Sequence, residues 1–285
     1  MKQKELPSHC AEGSFSFTDT ADDASSRVEI KLLNSRRMRM ASTKPSHLTA
    51  NVRYLIIWVT NVSFPLEEFM NNPVRTFYDL ELKPISSATK NKIVEVAIEL
   101  FSKYGFNGAS VRDITKEVGI KESSLYKHFI NKDEILETIF VNFRKETEKV
   151  LPPMEHVDWI GANMSLSSFL YKGFENFKAH IDDPINQKTW RIVYIELFRH
   201  PMAKELYLEG VLKRTIDCLA VVFGKRIEHK KMKALDTRIM AMEYQYPLFT
   251  MILEYNMLLA VGESTQDLEK QISDHIEFFI SIVRP

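Results

Sequence analysis

The chain has 285 residues, with 38 basic and 38 acidic side chains and 45% hydrophobic residues. This composition is ordinary for a folded globular protein, and the zero net charge excludes a protein that coats polyanions along its whole length. No segment approaches the about 18 apolar residues that span a bilayer, and the N-terminus lacks the layout of a signal peptide. We therefore expect a cytoplasmic protein, with no membrane partner, in which Cys10 and Cys218 are free thiols.

The first 86 residues differ from the rest of the chain. They begin as a polar stretch without periodicity, become basic over residues 27–44 and are then interrupted by prolines. We expect a poorly structured, disordered extension over residues 1–86, of which residues 1–83 are dispensable for folding. Two other interpretations stay open: a basic arm at residues 36–39 that contacts phosphates, and translation that starts later, for example at Met70.

The first regular helix is predicted over residues 89–104. Its apolar side chains repeat at the spacing of one helix face, and Gly105 ends it. This buried face consists of Ile93, Ala97, Leu100, Phe101 and Tyr104. We expect the helix to be the scaffold on which the shorter helices after it pack.

Two short helices joined by a tight turn follow. Ser110 caps the first, with Asp113 at the capping-box position, and Gly119 supplies the positive φ that ends it. The second is predicted over residues 122–129. Two short helices about a glycine turn form a helix-turn-helix, whose second helix can enter the major groove of DNA.

The same region contains four sequence runs that occur together: Ser110-Val111-Arg112-Asp113-Ile114-Thr115, Gly119-Ile120, Leu125-Tyr126-Lys127-His128-Phe129 and Lys132-Asp133-Glu134-Ile135-Leu136. With these runs the chain resembles the tetracycline-repressor (TetR) family of bacterial transcription regulators. The resemblance implies an all-α fold, with a DNA-binding domain at residues 87–147 and a helical effector-binding and dimerisation domain at residues 148–285. There are two departures: Lys121 stands where the family has Ser or Thr, and Ser123 where it often has Gly or Ala.

The resemblance places DNA contacts on the helix-turn-helix. Lys121, Ser124 and Lys127 are expected near base edges, because lysine reaches guanine acceptors and serine can serve any base edge. The expected phosphate contacts are Ser110, Thr115, Tyr126, His128 and Lys132. The predicted DNA-binding set is completed by Glu122 and Ser123. Because a homodimer repeats each contact about its two-fold axis, the expected partner is double-stranded DNA with a palindromic operator.

The remainder of the chain reads as helical, without the alternating pattern of strands. A helix over residues 132–150 ends at two consecutive prolines. Further helices are predicted at residues 166–180, 188–198, 202–223 (one helix or two, closed by Gly224), 236–260 and 265–283. The resemblance implies that the last two pair with their copies in a second subunit, and internal packing is the alternative.

Aromatic and methionine side chains are frequent in this second part. Each one is compatible with ordinary core packing, but as a set they fit a cavity for an apolar or aromatic effector, which the family places in this domain. The predicted pocket residues are Phe169, Phe174, Phe177, Trp190, Phe198, Tyr207, Met242, Tyr246 and Phe249.

Glu196, Glu243 and Glu254 lie within apolar helical runs. A buried carboxylate without a partner costs several kcal/mol, so one facing the pocket would favour a cationic ligand. The alternative is that each carboxylate points to water or pairs with an arginine such as Arg191 or Arg238.

Motifs for catalysis are missing from the sequence. There is no glycine-rich phosphate loop, no metal-ligand cluster and no nucleophile motif, so we expect neither enzyme activity nor a metal or other cofactor. The sequence predicts a repressor that a small apolar or aromatic effector releases from its operator. Two alternatives remain: a helical small-molecule carrier or enzyme with a vestigial DNA-binding head, and an architectural DNA-binding protein without effector control.

Overall fold

The computed structural model describes residues 75–285, most of which are helical. Four predictions concern residues 1–74, which lie outside the described residues. They are the disordered extension over that range, the basic arm, the later start of translation and the free thiol of Cys10. The all-α fold class is confirmed for the rest, since the only β-type pairing among residues 75–285 is an isolated antiparallel bridge between Tyr78 and Pro84. None of the helices in this range is both long enough and apolar enough to cross a membrane.

The helices of the described residues are α1 (Ala88–Gly108), α2 (Val111–Val118), α3 (Glu122–Leu125), α4 (Lys132–Thr147), α5 (Val157–Asn163), α6 (Leu166–Asp182), α7 (Pro184–Glu196), α8 (Pro201–Glu205), α9 (Arg214–Glu228), α10 (Thr237–Val261) and α11 (Gln266–Val283). A 3-10 turn at Met154–His156 precedes α5. A π-helix at Leu206–Lys213 joins α8 to α9. The first four helices form one compact group, and α5 to α11 form a larger helical layer beside it.

The core of the first group follows the predicted periodicity. Ile93, Ala97 and Phe101 of α1 are fully buried, together with Ile114 of α2 and Leu125 of α3. Burying an aliphatic or aromatic side chain contributes about 1.5–3 kcal/mol, so these contacts hold the short helices in place although α3 is only one turn long. Two positions of the predicted face differ, because Leu100 is half-buried and Tyr104 is 54% exposed.

The second group departs from the predicted boundaries in one stretch. Residues 202–223 were expected to form one helix or two that Gly224 closes, but Gly224 lies inside α9. The helix runs past Gly224 with Phe223 and Arg226 buried on either side of it, and a π-helix separates α8 from α9. The last two helices match the prediction closely, with Asp236 capping α10 and Gly262 ending it at φ 73°.

Residues 75–87 form a packed segment, here called the N-terminal strap, that contacts both helical groups. Phe77 is only 2% exposed, and the backbone of Tyr78 pairs with the Asn142 side chain of α4, through N–H to Oδ1 at 2.9 Å and Nδ2–H to O at 2.8 Å. Arg75 forms an ion pair with Asp183, the residue that caps α7, at 2.7 Å. Residues 75–86 therefore belong to the folded structure. The prediction that the poorly structured extension reaches residue 86 is wrong for these residues.

This correction gives the first prediction. Replacing Phe77 by alanine should lower the free energy of unfolding by about 3 kcal/mol, because a buried phenyl ring leaves a cavity. Leu80→Ala is the control, since Leu80 is 43% exposed and its loss should cost less than about 1 kcal/mol. Urea denaturation of the full chain measures both values. Equal, small effects at the two positions would show that the strap is not part of the cooperative fold.

Candidate nucleic-acid interface and adjoining cavity

The turn between α2 and α3 has the predicted local chemistry. The Ser110 hydroxyl accepts a hydrogen bond from the backbone N–H of Asp113 at 3.2 Å, and the Asp113 carboxylate accepts one from the backbone N–H of Ser110 at 2.9 Å. The Ser110 hydroxyl also donates to this carboxylate at 2.6 Å, and this bond, with the one from the Ser110 backbone N–H, lowers the pKa of Asp113 at the positive end of α2. Gly119 ends α2 at φ 82°. The chain therefore turns abruptly into α3, as a helix-turn-helix requires.

α3 is shorter than predicted but continues as a hydrogen-bonded turn. Regular helix covers Glu122–Leu125, and the N–H of His128 then donates to the carbonyl of Leu125 at 2.8 Å. Leu125 and Phe129 are buried, which fixes the opposite face of this segment toward solvent. We call residues 121–128 the recognition turn.

The polar side chains of the recognition turn are placed outward. Those exposed are Lys121, Glu122, Ser123, Tyr126 and Lys127, whereas Ser124 and His128 are half-buried. Tyr126 has 53% of its surface exposed although it is large and aromatic. No side chain caps the amide groups at the start of α3, because Lys121 occupies the cap position. These amides without a side-chain cap and the exposed Lys121 lie together at one end of the turn.

Two predicted phosphate contacts are placed differently. Thr115 is only 3% exposed, and its hydroxyl donates to the carbonyl of Arg112 at 3.1 Å, so it cannot reach a phosphate without unfolding the end of α2. Lys132 is half-buried. Its ammonium donates to the carbonyls of Phe106 and Ala109, each at 2.9 Å, and lies 4.1 Å from the centre of the Phe106 ring. In this structure, Lys132 therefore fixes the chain between α1 and α2.

Two basic side chains were missing from the predicted set. Arg112 and Lys116 of α2 are exposed, one turn apart, on the helix that precedes the recognition turn. Basic side chains near an inserted element usually contact phosphates and fix its register. Arg112 stood within the sequence motif that carried the resemblance, so its exposure on a short amphipathic helix could have identified it.

A break in α1 connects the helix-turn-helix to the second group of helices. Gly105 has φ 73° and ψ 166°, which frees the backbone N–H of Phe106 from the helical pattern. The Glu196 carboxylate, at the C-terminal end of α7, accepts a hydrogen bond from this N–H at 3.1 Å. Phe106 is therefore fixed on both sides, by Glu196 at its N–H and by Lys132 at its carbonyl.

This arrangement decides between the interpretations of the three glutamates. Glu196 is 2% exposed and its hydrogen-bond donor is a backbone amide, so neither water nor an arginine is its partner there. Glu243 and Glu254 are exposed. Arg238 forms its ion pair with Asp217 at 2.6 Å. None of the three glutamates lines the apolar cavity described below, so that cavity offers a cationic ligand no carboxylate.

The second group of helices and the end of α4 line a cavity of about 100 Å³. It is here called the aromatic cavity and is lined by Thr147, Val150, Leu151, Pro152, Phe169, Leu170, Gly173, Phe174, Phe177, Trp190, Gly210, Val211, Thr215, Cys218, Leu219, Tyr244, Gln245, Leu248, Phe249 and Ile252. The predicted residues Phe169, Phe174, Phe177, Trp190 and Phe249 belong to this wall. The rest of the predicted set does not.

The four predicted pocket residues outside the wall have different surroundings. Phe198 is 99% exposed, because it follows the last residue of α7 in the turn to α8. Tyr246 is 46% exposed on the outer face of α10. Met242 packs against the core, and Tyr207 packs edge-on against Tyr194. Helical periodicity placed all four in helices or at their ends but could not assign the face that each one occupies.

The wall of the aromatic cavity carries no charged side chain. Its polar atoms belong to neutral groups, such as Thr215, Gln245 and the thiol of Cys218, whose pKa burial raises to about 12. Trp190 is 2% exposed, and its indole N–H has no hydrogen-bond partner. A charged ligand would lose its hydration without an opposite charge, so this wall suits an uncharged, mainly apolar molecule.

Among residues 75–285, no group of three histidine, cysteine, aspartate or glutamate side chains is placed to hold a metal ion.

Comparison with known proteins identifies the helix-turn-helix. The family model described as bacterial regulatory proteins, tetR family, matches residues 93–139. The chain is 52% identical over 46 residues to the biofilm operon icaADBC HTH-type negative transcriptional regulator IcaR of Staphylococcus epidermidis, which is 16% of this chain and 25% of that protein. The same regulator from Staphylococcus aureus strain Newman is 50% identical over 48 residues, 17% of this chain and 26% of its own. The match thus spans about a quarter of these relatives.

Solved structures resemble a larger part of the chain. A TetR transcriptional regulator from Chloroflexus aurantiacus aligns with a TM-score of 0.53 and 16% identity, over 69% of this chain and 96% of its own. A TetR-family regulator from Mesorhizobium loti gives 0.51 and 17%, over 69% and 97%. A complex of SmeT with triclosan gives 0.50 and 16%, over 70% and 93%. At these identities the likeness concerns the fold alone.

Proposed function

We propose that this chain, whose residues 93–139 form a DNA-binding domain of the TetR family, is a transcription regulator that places its recognition turn in the major groove of DNA. The observation that carries this proposal is the division of the turn into two faces. Leu125 and Phe129 are buried in the core of the first helical group, whereas Lys121, Tyr126 and Lys127 are exposed on the other side. The exposed tyrosine on this face supplies both a hydroxyl and a stacking surface for a partner.

The contacts divide by position along this face. Lys121 lies at the start of α3, beside amide groups that no side chain caps, so it is nearest to the base edges when the helix end enters the groove. Arg112 and Lys116 on α2, with Tyr126, then contact phosphates and fix the orientation, whereas Lys127 remains a proposed contact to base edges. Thr115 is left out of the proposed interface because it is buried.

The direction of regulation follows from the relatives. IcaR is named a negative transcriptional regulator, and half of the residues in its matched segment are identical to those of this chain. We take the chain to be a repressor on this ground. The matched segment is confined to the DNA-binding domain, so the genes and the operator that IcaR controls are not transferred to this chain.

The proposed assembly is a homodimer through α10 and α11. The outer face of α10 exposes Ile239, Tyr246 and Leu253 at seven-residue intervals, followed by Met257, which is 62% exposed. Apolar residues repeated every seven positions form the seam along which helices pack together. On α11, Phe278 is 63% exposed and continues the apolar surface. A second copy of the chain supplies the same surface in return, which a two-fold interface requires.

The proposed effector binds in the aromatic cavity. Its wall of neutral and aromatic side chains supports an uncharged aromatic or apolar ligand. SmeT, whose fold is similar, is named as a complex with triclosan, an aromatic compound. The volume of about 100 Å³ is smaller than the about 150 Å³ of an engineered apolar cavity that binds benzene, so the cavity limits the ligand to a small molecule.

Helix α7 provides a route from the cavity to the DNA-binding domain. Trp190 in the cavity wall and Glu196 at the Phe106 amide are six residues apart on this helix, which corresponds to about 9 Å along its axis. Trp190 also packs edge-on against Phe143 of α4, with ring centres 4.8 Å apart. A ligand that binds one orientation of α7 more tightly than another thereby changes the position of the recognition turn.

The experiment that tests the DNA-binding function is selection from a random pool of duplexes by the purified chain. We expect an inverted repeat whose half-site centres lie about one helical turn, or a multiple of it, apart. Lys121→Ala should then relax the preference at one base pair of each half-site, by about 1–3 kcal/mol. Thr115→Val is the matched control and should leave base preference unchanged. If no sequence is enriched, or if Lys121→Ala weakens all duplexes alike, the proposed base reading is wrong.

A separate prediction concerns the dimer. Met257→Lys places a charge in the proposed seam and should shift the chain from dimer to monomer in sedimentation velocity at micromolar concentration, because the partner offers it only apolar contacts. Phe198→Lys makes the same chemical change at a side chain that is 99% exposed in the turn after α7, and should leave the dimer intact. A Met257→Lys chain that remains dimeric would place the interface elsewhere.

A further inference from the structure

A second depression lies on the surface between the end of α7 and the π-helix, and is here called the turn groove. It has a volume of about 580 Å³, and the eight residues that line it all fall within the single stretch 197–208. None of them lines the aromatic cavity. Phe198 and Tyr207, which the sequence analysis assigned to the effector pocket, both lie in this groove instead.

The apolar part of the turn groove is open to solvent. Phe198 keeps 99% of its surface accessible and Leu208 keeps 42%, although both side chains are large and apolar. Pro201 is exposed in the same groove, and Leu197 and Tyr207 are half-buried. Apolar residues that are exposed singly are common on protein surfaces, whereas several that line one depression are typical of a binding site. This part of the groove therefore suits the apolar group of a ligand.

The charged side chains that line the turn groove are both cations. Arg199 and Lys204 are exposed, and among residues 75–285 neither side chain forms an ion pair or a hydrogen bond. The lining contains no aspartate or glutamate. Two cations without a counter-charge, beside an apolar surface, are complementary to a molecule that carries a negative charge at one end and an apolar group at the other.

We propose that the turn groove binds a small organic carboxylate with an apolar tail. The guanidinium of Arg199 can pair with both oxygens of a carboxylate, and the ammonium of Lys204 adds a second positive charge. The volume of the groove lies within the about 300–1,000 Å³ of small-molecule sites. Its eight residues are far fewer than the about 20–30 that each side of a stable protein interface uses, so the ligand is a small molecule.

The turn groove adjoins the contact between the two helical groups. The backbone carbonyl of Glu196 accepts hydrogen bonds from the N–H groups of Arg199, at 3.0 Å, and His200, at 2.9 Å. The carboxylate of the same Glu196 holds the Phe106 N–H. A ligand on Arg199 therefore lies one turn from the group that fixes the helix-turn-helix. The proposal goes beyond the proposed function, because it adds a second ligand site whose charge preference differs from that of the aromatic cavity.

The test compares 4-phenylbutyrate with 4-phenylbutan-1-ol, which has the same carbon skeleton without the charge. Each probe is titrated calorimetrically into the full-length wild-type chain and into its Arg199→Gln and Lys204→Gln variants. We expect the wild type to bind the acid at least about tenfold more tightly than the alcohol. Each variant should weaken the acid about tenfold and change the alcohol by less than about threefold, because only the acid uses the positive charge.

The matched control is Lys230→Gln. Lys230 is exposed just after the end of α9 and lies outside the turn groove, so this variant removes the same charge elsewhere on the surface. It should leave the affinity for both probes unchanged.

Four results would overturn the proposal. If no binding of the acid is detected at millimolar concentration, the groove does not take this ligand class. If the acid and the alcohol bind equally, or if Lys230→Gln weakens the acid as much as Lys204→Gln does, the cations of the groove do not select a carboxylate. If inorganic phosphate binds as tightly as the acid, the apolar part of the groove contributes nothing.

The fourth result concerns DNA. If Arg199→Gln lowers the dependence of log operator affinity on log salt concentration by about one unit, Arg199 contacts a phosphate of DNA and the groove belongs to the nucleic-acid interface. The titrations themselves contain no DNA. Their failure therefore leaves the proposed DNA-binding function standing, and a failure to enrich any operator leaves the carboxylate site standing.

Discussion

The hydrogen bond between the Glu196 carboxylate and the Phe106 amide is the constraint on which the arrangement of the two helical groups depends. Glu196 is buried and lies at the C-terminal end of α7, where the helix dipole disfavours a negative charge. Burying a carboxylate costs free energy unless it is paired, so this contact is retained against two opposing effects. The Phe106 N–H is available as the donor because α1 is broken at Gly105. At φ 73°, a residue with a side chain would be strained there, and its Cβ would lie 3.5 Å from Ile195 Cγ2.

Other contacts, both within the first group of helices and between the two groups, support the same joint. Lys132 holds the carbonyl of Phe106 from the opposite side, and its ammonium also lies over the Phe106 ring. The N-terminal strap ties α4 to the start of α7 through Tyr78 and Arg75. Helix α7 is thus attached at its first turn to the strap and at its last residue to the break in α1. In the proposed regulation, a change in the wall of the aromatic cavity, which lies between these two attachments, would act on the position of the helix-turn-helix.

Local chemistry was predictable from the sequence, and long-range pairing was not. The capping box at Ser110, the positive φ at Gly119 and the boundaries of α10 and α11 follow from neighbouring residues, and the structure has them as expected. The burial of Thr115 depends on which side of a short helix faces the core, and periodicity over eight residues is too short to fix this. The backbone contacts of Lys132 join it to residues 23 and 26 positions away, which no local pattern indicates. The strap pairs with residues 64 to 111 positions away, which no local pattern indicates.

The measurement that tests the account most directly is the operator affinity of Glu196→Leu at fixed salt concentration. The account predicts at least a tenfold loss, because the leucine leaves the Phe106 amide unpaired and frees the helix-turn-helix to adopt orientations that do not fit the operator. Glu196→Gln keeps an acceptor oxygen and should stay within about threefold of the wild type. Glu99→Leu removes a carboxylate that joins α1 to Lys188 of α7 at the surface, and so changes the net charge equally without touching the joint. If Glu196→Leu binds the operator as Glu99→Leu does, the buried carboxylate does not position the DNA-binding domain, and the central claim is wrong.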